Sequence, residues 1–104
     1  MNTDPVSIEI DEGGAIVVTG EIDMAAGPII DAAIIAQEQN GRPVVIDLQA
    51  VSFIDSSGLR SLLGASRRAQ DRQSTVVLRS VGPEVARLLD ITGTTRMFEI
   101  EVES

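Results

Sequence analysis

Val44-Val45-Ile46-Asp47-Leu48 and Val51-Ser52-Phe53-Ile54 lead into Asp55-Ser56-Ser57-Gly58-Leu59, near the middle of this 104-residue chain. The first run is nearly all apolar, the pattern of a strand buried on both faces and typically parallel within a sheet. Val51 to Ile54 adds a second apolar patch. Past the glycine, Leu59, Leu62, Leu63 and Ser66 fall on one side of a helix, and Arg60, Gly64, Arg67 and Asp71 on the other. Two adjacent hydroxyls therefore sit where a buried strand hands over to a helix N-terminus. Such a place is held by a rigid scaffold and still faces solvent.

Working outward, Thr75 to Arg79 reads as the next strand, so residues 44–79 form a strand–helix–strand unit with a right-handed crossover. Gly82-Pro83-Glu84 opens a further helix, with Val85, Leu88 and Leu89 as its apolar face and Gly93 as its end. Phe98, Ile100 and Val102 alternate with Glu99, Glu101 and Glu103, which predicts a last strand with an acidic outer face that discourages edge pairing. On the other side, Val6, Ile8 and Ile10 alternate with polar residues as a half-buried strand. Glu12-Gly13-Gly14 is a turn whose glycines supply positive φ for a hairpin in preference to binding phosphate. Ala15 to Thr19 returns antiparallel, and Gly20-Glu21-Ile22-Asp23 ends that strand and opens a loop. Asp23 either caps the following helix or belongs to a functional rim, and the residues alone favour the cap. Gly27-Pro28 starts a helix with Ile30, Ala33, Ile34 and Gln37 at helical spacing and Ile29 and Ala36 widening the stripe. Asn40-Gly41 and Pro43 end it. The sum is one α/β domain over residues 1–104, with helices packed on a mixed sheet whose central strands are parallel.

Composition narrows the function. Apolar residues make up 43% of the chain, as in globular proteins. No apolar run could span a bilayer, and the N-terminus lacks the pattern of a signal peptide. Cys is absent, which fits an intracellular protein. The net charge is −8, and every basic residue is Arg. Arg42 stands alone against ten acids in residues 1–55, whereas residues 56–104 carry seven Arg and six acids. So acidic a chain is repelled by nucleic acid and by anionic membranes. His, Cys and Lys are all missing, leaving no imidazole base, thiolate, Schiff-base amine or Lys-ended phosphate loop. No acidic spacing resembles a calcium loop. Neither an enzyme nor a metal or cofactor site is expected.

Three readings of Ser56 and Ser57 compete. One hydroxyl could cap the helix, worth about 1 kcal/mol. A serine nucleophile lacks any His or Lys to activate it. A phosphoacceptor is favoured by the N–H groups and dipole of a helix N-terminus, and would add roughly −1.5 to −2 charges beside Asp55. The fold would tolerate that charge while an approaching partner would not. Arg60, Gly64, Arg67 and Asp71 could form the docking stripe, with Gly64 marking close approach of another backbone, or simply a solvated arginine face.

Val45-Ile46-Asp47-Leu48 … Phe53-Ile54-Asp55-Ser56-Ser57-Gly58-Leu59 resembles the signature of STAS domains, in particular the bacterial anti-sigma factor antagonists. Gly20-Glu21-Ile22-Asp23 resembles the family's Gly-Glu-hydrophobic-Asp loop, and Pro83 to Gly93 its later helix and cap. The resemblance implies a cytoplasmic regulator that binds an anti-sigma factor, itself a serine kinase of the GHKL ATPase type, and so releases a sigma factor. It implies phosphorylation on the first serine of the motif, Ser56, and reset by a PP2C-type phosphatase. It also places Asp23 on the docking face, and with the motif residues Asp55, Ser57, Gly58 and Leu59 and the helix stripe of Arg60, Gly64 and Arg67 this makes the expected partner surface. Family members usually continue into a C-terminal helix, so a second copy of the chain is one candidate cover for the exposed sheet face. Ala25-Ala26-Gly27-Pro28 and Thr94-Thr95 depart from the family pattern near the rim and after the last helix. The alternatives are a STAS scaffold or accessory subunit of a stress-sensing or transporter assembly, and a small-ligand or nucleotide sensor.

Overall fold

The computed structural model describes residues 6–101. The predicted end of the last strand at Val102 and Glu103 lies outside them. β1 (Val6–Ile10) and β2 (Ile16–Ile22) pair antiparallel. α1 (Gly27–Glu38), β3 (Val44–Ile54), α2 (Ser56–Asp71), β4 (Val76–Arg79), α3 (Pro83–Thr92) and β5 (Glu99–Glu101) follow, with a 3-10 turn at Thr95–Met97 before β5. The sheet order is β1-β2-β3-β4-β5, and every pair after the first is parallel.

Strand register separates the two sheet faces. Ile10, Ile16, Ile46, Leu78 and Ile100 lie opposite one another across all five strands. Ile30 and Ile34 of α1, Leu59, Leu62, Ala65 and Ala69 of α2, and Val85 and Leu89 of α3 join Ile16, Ile46 and Leu78 of that row in one core, with Ile100 packed against it, whereas Ile10 at the sheet edge is exposed. The row on the other face is Glu9, Val17, Asp47, Arg79 and Glu101. Arg79 ties this face together: its Nη2 lies 2.8 Å from Asp11 Oδ2 and 3.0 Å from Asp47 Oδ2. Asp11 also accepts the N–H groups of Gly13 and Ala15, which closes the β1–β2 turn. The Arg79 hydrogen bond, then the Ala15 N–H, hold the Asp11 carboxyl below its usual pKa.

Several sequence expectations are corrected. Val44–Leu48 and Val51–Ile54 are one 11-residue strand, and Val45 and Asp47 are only half-buried, on the face opposite the one that Ile46 and Leu48 share with the described helices. β2 does not end before Gly20 but runs to Ile22, with Gly20 at φ 110° where its pairing with β3 shifts register. Only Gly14 of the Gly13-Gly14 pair takes positive φ. Ile29 and Ala36 face outward from α1, as does Ile35. The pairs that join helices were not anticipated. Glu38 of α1 holds Arg68 of α2 at 2.9 Å, and buried Ser66 donates to the Met97 carbonyl at 2.5 Å.

Candidate functional site

β2 and β3 end side by side, with Ile22 opposite Ile54. The chain leaves β3 through Asp55, whose N–H donates to the Ile22 carbonyl at 3.2 Å. This bond sets the start of α2 against the end of β2. Gly58 completes the junction: a Cβ there would overlap the Ile22 carbonyl oxygen and lie 2.5 Å from Ile22 Cγ2. Only a residue without a side chain fits. Leu59, next along, is buried under the sheet end.

The cap of α2 is Asp55. Its Oδ1 accepts the Gly58 N–H at 2.9 Å, and its carbonyl accepts the Leu59 N–H at 2.9 Å. The reading in which a serine caps the helix is thereby replaced. Ser56 and Ser57 occupy the first two helical positions, and neither hydroxyl has a hydrogen-bond partner among the described residues. Ser56 is exposed and Ser57 half-buried. The side-chain cap has freed the serine that sequence reasoning singled out.

Asp23 stands one residue beyond Ile22, beside this turn. Its Oδ1 accepts the Ala26 N–H at 3.1 Å, so it shapes the tight turn into α1 and leaves its other oxygen at the rim. The start of α1 touches α2, since a Cβ on Gly27 would lie 3.3 Å from Ser61 Oγ. The structure thus brings Asp23, Asp55, Ser56, Ser57 and Arg60 to one end of the molecule. Arg60, Gly64 and Arg67 continue along the outer side of α2, with both arginines exposed. A Cβ at Gly64 would meet only Arg68 Nη1, at 3.6 Å, so among the described residues no backbone outside its own helix comes within 4 Å of it. Gly58 and Leu59 are set apart from the rest: they are buried and hold the turn from beneath. Sequence reasoning missed Met24. At 76% exposure it projects beside Asp23 as an apolar residue on an otherwise polar rim. Its only sequence signal was its place next to the loop aspartate.

The profile of the STAS domain matches residues 5–103. The chain belongs to the STAS domain family. An anti-sigma-B factor antagonist of Listeria monocytogenes is 38% identical over 101 residues, covering 92% of this chain and 89% of that relative. An anti-sigma factor antagonist from Mycobacterium paratuberculosis has a solved structure that superposes with a TM-score of 0.77 at 30% identity, over 94% of this chain and 85% of its own. SpoIIAA, a Bacillus cell fate determinant, superposes in its unphosphorylated form with a TM-score of 0.71 at 24% identity, over 94% and 89% of the two chains, a likeness of fold. No helix among the described residues is long and apolar enough to cross a membrane.

Proposed function

We propose that this STAS domain is an anti-sigma factor antagonist, a cytoplasmic regulatory binding protein that is inactivated by phosphorylation of Ser56. Its partner is an anti-sigma factor with serine kinase activity of the GHKL type, and a PP2C-type phosphatase restores the binding form. One observation carries the reading. Ser56 is an exposed, unengaged hydroxyl at the first position of α2, in a chain 38% identical to a protein named for this activity.

The chain itself supplies no catalysis in this scheme. The Ser56 Oγ attacks the γ-phosphorus of ATP held by the partner, its proton passes to a base of the partner, and ADP leaves. Asp23, Met24, Ser57, Arg60, Gly64 and Arg67 form the docking surface, and Asp55, Gly58 and Leu59 set its geometry. The unsubstituted Gly64 lets a partner helix or loop come close to α2. A phosphate on Ser56 places roughly two negative charges beside Asp55 and Asp23, and a partner seated there would have to bury that charge.

The test is the phosphorylation state of the protein in its own cells before and after stress, by intact mass and phosphopeptide analysis. Phosphate on Ser56 that varies with stress and vanishes in Ser56→Ala supports the proposal. An unmodified chain under all conditions, held in a stable complex that Ser56→Glu does not disturb, would overturn it.

A further inference from the structure

We propose that Arg60 is the built-in counter-ion of a phosphate on Ser56. Modification would then do two things at once: charge the turn and withdraw Arg60 from the docking surface. The inference rests on the reading of Ser56 as the phosphoacceptor and adds how the off state is held.

Ser56 and Arg60 are four residues apart on α2, both exposed. At this spacing their Cβ atoms are about 5–6 Å apart. Helical side chains lean toward the N-terminus, so the Arg60 stem can carry its guanidinium back toward the first turn, on the face that Ser56 shares. The order also favours a pair, since an anion one turn N-terminal to a cation is the better arrangement.

Arg60 is unclaimed in the unmodified protein. Among the described residues it has no hydrogen bond or ion pair. Arg68 and Arg72, by contrast, both lie on Glu38, at 2.9 and 3.8 Å. Arg67 has no such partner either, but it is three turns from Ser56, roughly 16 Å along the axis. The two carboxylates facing the turn are partly occupied. Asp55 accepts the Gly58 N–H, and Asp23 accepts the Ala26 N–H. Neither forms an ion pair with Arg60. A phosphate dianion offers what they do not, a strong acceptor set that matches the two-pronged guanidinium. Arg60 thus serves docking when Ser56 is free and serves the phosphate when it is not.

The experiment installs phosphoserine at position 56 of the full chain by co-translational incorporation, without a kinase, and titrates it by phosphorus NMR. The helix N-terminus lowers the second phosphate pKa while Asp55 and Asp23 raise it, so the comparison is between variants. Arg60→Gln is expected to raise that pKa by roughly 0.3–0.7 of a pH unit. Arg60→Lys should restore part of the difference and Arg67→Gln should leave it unchanged. An identical titration in the parent and Arg60→Gln overturns the inference, as does an equal shift from Arg67→Gln. The functional proposal fails separately, by absence of phosphate on Ser56 in cells, an outcome this titration does not depend on.

Discussion

Replacing Gly58 by alanine should unsettle the molecule where β2, β3 and α2 meet. The new methyl group overlaps the Ile22 carbonyl oxygen and lies 2.5 Å from Ile22 Cγ2. Neither atom can yield cheaply. Ile22 is fully buried, and its carbonyl accepts the Asp55 N–H that anchors the start of α2. Overpacking of this kind costs about 1–3 kcal/mol, and weakening the Asp55 bond adds up to about 1 kcal/mol. The better helix propensity of alanine returns less than about 1 kcal/mol. The net loss is about 1–3 kcal/mol, a fall in Tm of roughly 5–20 °C for a domain of this size. Thermal unfolding followed by circular dichroism, checked by urea midpoints, measures it. Gly64→Ala on the same helix is the control. Its methyl group meets only Arg68 Nη1 at 3.6 Å, so the propensity gain should stand and Tm should rise by a few degrees. A Gly58→Ala protein as stable as the parent would refute the close-approach argument.

Asp55→Ala removes the α2 cap and should cost about 1 kcal/mol in urea unfolding, whereas Ser57→Ala, which breaks no hydrogen bond, should cost far less. Ser56→Glu should hold or slightly raise Tm, since a negative charge at a helix N-terminus contributes about 0.3–1 kcal/mol, while partner binding measured by calorimetry is lost. Loss of fold together with binding would contradict the surface-blocking account. Because the folded Asp11 carboxyl is held below its ordinary value of 3.8, its contribution to stability is complete above that pH and is lost as pH falls through the lower folded value. Asp11→Asn keeps the turn acceptor for Gly13 and Ala15 but gives up the charge, so the parent's advantage over it in urea midpoints should shrink below about pH 4.

The elements of the fold were legible because each carries a local signal. Alternation marks β1, Pro28 and Pro83 sit at helix starts, and Gly93 is the left-handed cap expected of it, whereas α1 is capped by Gln39 and Gly41 takes its positive φ two residues later. What escaped is set by pairing across the chain. Nothing local says that Gln49 and Ala50 continue β3; the pairing with β2, shifted where Thr19 meets Ala50, carries the strand through them. Asp47 reads as an interruption of an apolar run, and becomes intelligible only with Arg79 beside it, 32 residues away. Ile29 and Ala36 of α1, which face outward, misled for a different reason. Helical spacing says which residues share a face, but with so few charges on that helix the sequence alone could not limit how wide the buried stripe was. At the site, Ser56 was found from its motif, whereas the identity of the cap depended on which side chain folds back to Gly58 N–H.

That identity decides what the turn can do. A helix N-terminus needs an acceptor for its free N–H groups, and a serine that supplied it would tie modification to stability. Here Asp55 caps, Gly58 allows close packing on Ile22, and Leu59 locks the turn into the core. All three act from within, and none needs a hydroxyl. Ser56 and Arg60 are left exposed, and Ser57 half-buried, without a hydrogen-bonding duty among the described residues. Charge can therefore be added to Ser56 with little effect on the folding equilibrium, and in the proposed switch its free-energy cost falls on the complex. A switch built this way reports through binding alone, which is what a protein whose activity consists of occupying a partner requires.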